Sequence, residues 1–172
     1  MKRKILLMTI IIFVCSTAII FAGGNKDRYI ERGVFSIIVP ENWEIVSINE
    51  MKYKLLRGTM NNNFAPNINF ADEAYSGNFD DYLENFMDQL DSIFEGNLEY
   101  ILFSDFATHK DLKGKVIVIT TFQQERLIQF NFFCFPMNDD RYFIITGTNL
   151  ASESARYSEL FVNTVRTFEW LK

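Results

Sequence analysis

The stretch LIQFNFFCF, residues 127–135, decides the fold because it is apolar on both faces of a strand. Side chains of a strand point alternately to its two faces. One face carries Ile128, Phe130, Phe132 and Cys134, and the other carries Leu127, Phe133 and Phe135. A sheet with one wet face has polar residues at every second position, so we expect this sheet to be covered on both faces.

Three other strand-like runs surround this stretch, at residues 98–106, 115–122 and 142–148. The connections at 110–114, 123–126 and 137–141 are short and polar. Parallel neighbours need a crossover of about a dozen residues, whereas antiparallel neighbours can be joined by a tight turn. The sequence therefore predicts an antiparallel meander.

Four shorter strands are predicted before the meander, at residues 35–39, 43–46, 53–60 and 67–74. The first shows alternating strand character and ends at Pro40, which cannot donate a backbone hydrogen bond to a sheet. Together with the meander, they predict an antiparallel sheet of about six to eight strands.

Two helices flank the meander and are the available covers for its two faces. The first has one apolar stripe at helical spacing, formed by Phe79, Tyr82, Leu83, Phe86, Met87, Leu90, Ile93 and Phe94. Asn78 is placed to cap its start, Asp80 and Asp81 favour the positive end of its dipole, and Gly96 can close it. The second helix is predicted at about 153–168, with Ser152 as its cap. Its predicted buried stripe is Ala155, Leu160, Phe161, Val165 and Phe168.

The N-terminus has the pattern of a secretory signal peptide. Lys2, Arg3 and Lys4 precede a 17-residue apolar run from residue 5 to residue 21, which is short for a membrane span. Small residues follow, and we expect cleavage after Ala22. Two alternatives stay open: an uncleaved signal anchor, and lipidation of Cys15, although a lipobox would want a small residue before that cysteine.

Length and composition indicate one exported, acidic domain. The chain has 172 residues, of which 48% are hydrophobic and 23% charged, as in ordinary globular proteins. We predict a signal peptide at 1–22, a flexible leader at 23–32 and a single domain at 33–172, located in the periplasm or cell envelope. Residues 1–22 carry three of the 17 Lys and Arg and none of the 22 acidic residues, so cleavage takes the formal charge from −5 to −8. That charge argues against nucleic acid as a partner, and no membrane span is expected after processing.

Residues that could carry chemistry are few. His109 is the only histidine and is predicted to lie in a solvated turn. Cys134 is the only cysteine left after cleavage, so no internal disulfide can form, and it is predicted to belong to the core. Asp139 and Asp140 fit ordinary hairpin chemistry. No hydrolase, zinc-protease, nucleotide-binding or EF-hand motif occurs; we therefore predict no enzyme, no metal and no cofactor.

One constellation stands out on the outer face of the first helix. Acidic side chains recur there at steps of three and four residues, and they are Asp80, Glu84, Asp88, Asp91 and Glu95. Like charges at these spacings cost about 0.2–0.5 kcal/mol per pair. Three interpretations remain open: a solvated face, a weak divalent-cation site, or a docking surface for a basic protein partner.

Two segments resemble a known family. FSIIVPENW, residues 35–43, resembles the opening strand, proline and tryptophan of PsbP-like and Mog-like proteins, including the DcrB-like bacterial branch. FVNTVRTF, residues 161–168, is similar to their terminal helix. The resemblance implies an α+β fold, an αβα sandwich around an antiparallel sheet, with Pro40 and Trp43 as structural residues. We expect Trp43 to be largely buried where the first two strands meet the sheet.

The resemblance also implies an accessory role. Such proteins bind or support protein partners and show no catalytic signature. The sequence therefore predicts an exported, non-catalytic domain that binds an unidentified protein partner. The alternatives are a carrier of a small apolar ligand, with a pocket between sheet and helix, and, third, an enzyme.

Overall fold

The structure is a computed structural model that describes residues 28–31, 33–49, 51–61, 63–138 and 140–171. It contains ten strands and two helices. The strands are β1 (Arg28–Glu31), β2 (Phe35–Ile38), β3 (Glu44–Val46), β4 (Leu55–Arg57), β5 (Asn67–Ala74), β6 (Leu98–Ala107), β7 (Lys113–Gln123), β8 (Arg126–Asn138), β9 (Arg141–Leu150) and β10 (Glu169–Trp170). The helices are α1 (Phe79–Ile93) and α2 (Ser154–Arg166).

Seven strands form one antiparallel sheet in the order β3-β4-β5-β9-β8-β7-β6. The predicted meander is confirmed as β6 to β9, and the strand count falls within the predicted range. β8 lies inside the sheet, where Phe132 pairs with Ile117 of β7 and with Thr146 of β9. The long apolar strand that decides the fold is therefore hydrogen-bonded on both edges.

Both faces of the large sheet are covered, as predicted. α1 covers one face, where Phe86 packs with Phe132 in a T-shaped contact at a centroid distance of 5.3 Å. The other face is covered by α2 together with a small sheet of order β1-β2-β10, and Phe35 of β2 meets Phe143 of β9 there. The sequence predicts helices over both faces of the large sheet, but it does not predict the small sheet.

The first helix follows its prediction closely. The side chain of Asn78 accepts a hydrogen bond from the Asp81 backbone N–H at 3.0 Å, which satisfies one free donor of the first turn. The buried residues of α1 are Tyr82, Leu83, Phe86 and Leu90. Gly96, just past the helix, has φ +72°, a conformation in which glycine has no steric penalty.

The second helix differs from its prediction at its start. Residues Ala151–Glu153 form a 3-10 turn continuing from β9, so α2 begins at Ser154 and Ser152 does not cap it. Ala155 is exposed, and Tyr157 takes the predicted inward position on the first turn of the buried face. Tyr157 lies four residues before Phe161 and therefore on the same face of α2, whereas Ala155 lies six residues before it and therefore on a different face.

The predicted leader at 23–32 is wrong for Arg28–Glu31, which form β1 and pair with β2. Polar and apolar residues do not alternate in this segment, because Ile30 is exposed and Glu31 is buried, so its sequence carries no strand signal. The described part of the domain therefore starts at Arg28 instead of residue 33. The predicted signal peptide, and Cys15 within it, lie outside the described residues.

Pro40 and Trp43 form the turn between β2 and β3, where the Trp43 N–H donates to the Pro40 carbonyl at 3.1 Å. The Trp43 ring is half-buried, which corrects the expectation that it is largely buried. Its edge contacts are with Tyr157 and Phe161 of α2, at centroid distances of 6.4 and 6.2 Å. The Trp43 ring packs against these two residues of α2, and part of its surface remains in solvent.

Candidate functional site

β6 forms one edge of the large sheet and carries an exposed apolar run. Its first neighbour is β7, and no described strand pairs with its other side. Its central residues are between 40% and 53% exposed, and they are Tyr100, Ile101, Leu102 and Phe103. Exposed edge strands of this length are usually protected by lysine, proline or a bulge. β6 contains neither lysine nor proline, and its one irregularity is a bulge at Ile101.

α1 lies beside this edge and forms a groove with it. The Tyr100 hydroxyl donates to the Met87 carbonyl at 3.2 Å, which ties β6 to the helix. The groove has a volume of about 470 Å³ and is open to solvent. Its lining residues are Glu84, Met87, Asp88 and Asp91 from α1, and Tyr100, Ile101, Leu102 and Phe103 from β6. We call it the α1–β6 groove.

The groove gathers three of the five carboxylates predicted as a partner face. Glu84, Asp88 and Asp91 line one side and are exposed. No ion pair in the described part of the chain involves these three carboxylates. Asp80 lies at the start of the helix, and Glu95 lies beyond its end, so neither lines the groove. The α1–β6 groove thus has an apolar floor and one acidic wall.

Tyr100 connects the apolar floor to the acidic wall. Partial burial raises the pKa of Tyr100 to about 12, and the negative charges of Asp91 and Asp88 add to the rise. Both causes disfavour the phenolate. Tyr100 therefore remains a neutral hydrogen-bond donor at physiological pH, next to Asp88 and Asp91.

A titration can check this arrangement. Replacing Asp88→Asn together with Asp91→Asn should lower the pKa of Tyr100 towards its ordinary value, because two negative charges disappear while the burial stays. Ultraviolet phenolate titration of both proteins measures the shift, and subtraction of the Tyr100→Phe curve assigns it. An unchanged Tyr100 titration would show that the two carboxylates do not face the groove.

Lys115 shows how a cation is held at this edge. Its ammonium lies 5.5 Å from the centre of the Phe103 ring and 2.6 Å from the Asp105 carboxylate. That pairing raises the pKa of Lys115 and lowers the pKa of Asp105. An aromatic face beside a carboxylate is a favourable place for an ammonium or guanidinium group.

The other candidate residues lie elsewhere. Cys134 is fully buried in the core beneath α1, and burial raises the pKa of its thiol, so it is unreactive. His109 is exposed in the turn before β7, and its backbone N–H donates to the Arg166 carbonyl at the end of α2. Asp140 lies in the β8–β9 turn directly before β9, whereas Asp139 lies outside the described residues.

A second polar cluster is structural. The Asp72 carboxylate on β5 is buried and accepts hydrogen bonds from Lys52 at 2.6 Å and from Tyr53 at 2.8 Å. Arg141 of β9 contacts its other oxygen. These contacts tie the loop before β4 to the sheet and satisfy a buried charge.

The exposed apolar residues of β6 are not predicted by the sequence. The sequence places residues 98–106 in a sheet covered on both faces, whereas β6 lies at the edge of the sheet with most of its side chains exposed. A signal was available: β6 follows a helix, so it has a consecutive strand neighbour on one side only. Ser104 and Asp105 within the strand also indicate a partly wet environment.

Three further observations bear on the alternatives. A second open hollow, of about 590 Å³, is lined by residues near the β7–β8 turn and the end of β9, namely Arg126, Leu127, Leu150, Ala151 and Ser152. In the described ranges, no three His, Cys, Asp or Glu side chains are grouped so that they could hold a metal ion. None of the described helices is both long and apolar enough to cross a membrane.

Comparisons with solved structures define the fold as PsbP-like. The cyanobacterial PsbP protein CyanoP from Synechocystis sp. PCC 6803 superposes with a TM-score of 0.59 at 13% identity, covering 87% of this chain and 97% of CyanoP. LpqN of Mycobacterium tuberculosis, involved in cell envelope biogenesis, gives a TM-score of 0.59 at 9% identity, covering 91% of each chain. A protein of unknown function from Pseudomonas aeruginosa gives 0.56 at 14% identity, covering 84% of this chain and 96% of its own.

At these identities the likeness shows the fold alone. No protein-family model matches the sequence. No curated protein matches it either. The α+β prediction is confirmed, with an antiparallel sheet between helix-covered faces.

Proposed function

We propose that this protein is an exported, non-catalytic accessory domain that binds a basic protein partner in the α1–β6 groove. The observation that carries the proposal is that an exposed apolar sheet edge lies beside a wall of exposed carboxylates. Contiguous exposed apolar surface rimmed by polar residues is typical of protein interaction sites.

The charge of the segment that builds the groove determines which charge the partner must carry. No Lys or Arg occurs between Gly58 and His109, a segment that contains both α1 and β6. The surface built by that segment is therefore uniformly acidic, which favours cationic partners and repels nucleic acid. Among the described residues, the groove carboxylates form no ion pair that a partner would have to break.

A small apolar ligand fits this surface less well. Sites for small molecules enclose most of the ligand surface in a concave pocket. The α1–β6 groove is open, and three charged carboxylates stand along it. An elongated protein segment can cover such a groove, whereas an apolar molecule would remain largely in water.

Two features favour a non-catalytic role. The thiol of Cys134 is buried beneath α1, whereas His109 is exposed in the β6–β7 turn at the end of α2, so the two side chains cannot act together. The carboxylates of the groove are exposed to solvent. Catalytic acids and bases more often lie in sites that exclude water and shift their pKa values.

Export rests on the N-terminal sequence and on the fold. Residues 2–22 have the charged, apolar and small-residue regions of a signal peptide. LpqN, which shares the fold, is involved in cell envelope biogenesis, and we propose an envelope or periplasmic location for this protein too. Membership of the DcrB-like bacterial branch is part of the same proposal and rests on residues 35–43.

Processing gives the first test of the proposal. We expect the mature protein to begin at or near Gly23, because the apolar run is short and ends in small residues. N-terminal sequencing and intact mass of the exported protein measure this. An intact Met1, or a lipid on Cys15, would instead show a membrane-anchored form.

Salt dependence tests the charge argument. Exposed charges are screened beyond about 8–10 Å at physiological ionic strength, so partner affinity should fall as salt is added. Titration of the purified partner at several salt concentrations measures it. Affinity that is independent of salt would contradict a carboxylate-lined binding site.

A further inference from the structure

The outer side of β6 offers unpaired backbone groups over a regular stretch. After the bulge at Ile101, the six residues Leu102–Ala107 pair continuously with β7. Every second N–H and C=O of an edge strand points away from its neighbour. β6 therefore presents, beside the α1–β6 groove, a row of backbone donors and acceptors with which no described strand pairs.

We infer that the partner binds by strand addition: an extended segment of the partner pairs with Leu102–Ala107 and becomes an eighth strand of the large sheet. This inference rests on the proposed function and specifies its mode. Strand addition to an exposed sheet edge draws affinity from main-chain hydrogen bonds and specificity from alternate side chains.

The two faces of β6 specify the added strand's sequence. Phe103 and Asp105 pair with Ile117 and Lys115 and thus face α1 and its carboxylates. Leu102 pairs with Val118 and faces the opposite side of the sheet. Side chains of directly paired residues lie on the same face, so the added strand should alternate Lys or Arg towards α1 with apolar residues on the other face.

Long cationic side chains suit the α1 face for two reasons. Their aliphatic stems can cover the exposed rings of Tyr100 and Phe103 while the charged ends reach Asp88 and Asp91. Lys115 already holds its ammonium over Phe103 in this way. The cations of the added strand would lie over the same rings from the side of β6 that faces away from β7, as Lys115 does from β7.

A second copy of this chain is a poorer occupant of the same edge. Antiparallel self-pairing over Leu102–Ala107 would join the two sheets about a two-fold axis perpendicular to them. The two α1 helices would also lie side by side on one face, with Asp88 and Asp91 near their own counterparts. Like charges directly opposite each other are destabilising, so charge complementarity favours a basic partner.

The test uses a synthetic peptide of about eight residues that alternates Lys and Val, added to the full mature protein. We expect binding, and we expect the amides of Leu102–Ala107 that point away from β7 to exchange at least about tenfold more slowly in the complex. Amides already bonded to β7 should change little. Hydrogen exchange followed residue by residue measures both sets.

Three modified peptides separate this inference from the proposed function. N-methylation at every second residue, on the edge facing β6, should abolish binding, whereas the same modification on the other edge should leave it intact. Replacement of every Lys by Glu should abolish binding as well. Charge-dependent binding that survives both methylations, without new amide protection, would overturn strand addition but keep the acidic docking surface.

The remaining outcomes are also decisive. No detectable binding of the Lys–Val peptide at millimolar concentration would overturn strand addition, and the purified partner then tests the groove independently. Equal binding of the Glu peptide would contradict the basic partner, and the proposed function with it. Self-association of the protein with protection of the same amides would assign the edge to a second copy.

Discussion

Phe143→Ala should lower the free energy of unfolding by about 3–5 kcal/mol, through lost transfer energy and the cavity left behind. Phe143 is fully buried on β9, between the large sheet and the small one. Its ring meets Phe35, Phe168 and Trp170 at centroid distances of 5.3, 5.4 and 5.0 Å. Few neighbours can collapse into the vacated space, because these rings are themselves held by β2 and β10.

Phe103→Ala is the matched control, since it removes the same side chain from an exposed site. Phe103 is 52% exposed on β6, and such surface changes usually stay within about 0.5 kcal/mol. Urea unfolding of both variants compares the two losses directly. Equal losses would contradict the placement of the core between β9 and the small sheet.

The double change Glu84→Lys with Asp88→Lys should weaken binding of a basic partner by at least about tenfold, which corresponds to about 1.4 kcal/mol. Reversal removes two attractive charges from the α1–β6 groove and adds two repulsive ones. The fold should persist, because both side chains are exposed, and relief of like-charge repulsion should raise stability by some tenths of a kcal/mol.

A control with the same change in net charge is Glu125→Lys with Glu159→Lys. Both residues are exposed, one in the β7–β8 turn and the other on α2, and neither lines the groove. Melting temperature and partner affinity are measured on both double variants. Higher stability with unchanged affinity in the groove variant would mean that its carboxylates form only a solvated face.

The fold could be predicted from the sequence where burial repeats at a regular period. The apolar runs of β7, β8 and β9 contribute to the core on each face of the sheet, and the stripe of α1 belongs to one of these two cores, so each residue's environment follows from its neighbours along the chain. β1 and β10 could not be foreseen this way. They contain four and two residues, and their pairing with β2 depends on contacts between the two ends of the domain.

The candidate site could be predicted only in part, for a related reason. The carboxylates of α1 lie on one helix face, so their grouping follows from sequence spacing. The exposure of Tyr100–Phe103 depends instead on strand order, because the same apolar run would be buried in a central strand. The half-buried position of Trp43 likewise depends on where α2 crosses the sheet, which no local pattern encodes.

Site-specific photocrosslinking in the cell tests the α1–β6 groove most directly. The photoreactive residue p-benzoylphenylalanine replaces either Phe103, on the groove, or Phe122, which is 72% exposed on the other face of the sheet. We expect one discrete crosslink to the partner from position 103 and none from position 122. The crosslink from position 103 should disappear when Glu84→Lys and Asp88→Lys are added. A crosslink from position 122 alone, or one from position 103 that survives charge reversal, would contradict the groove as the partner-binding site.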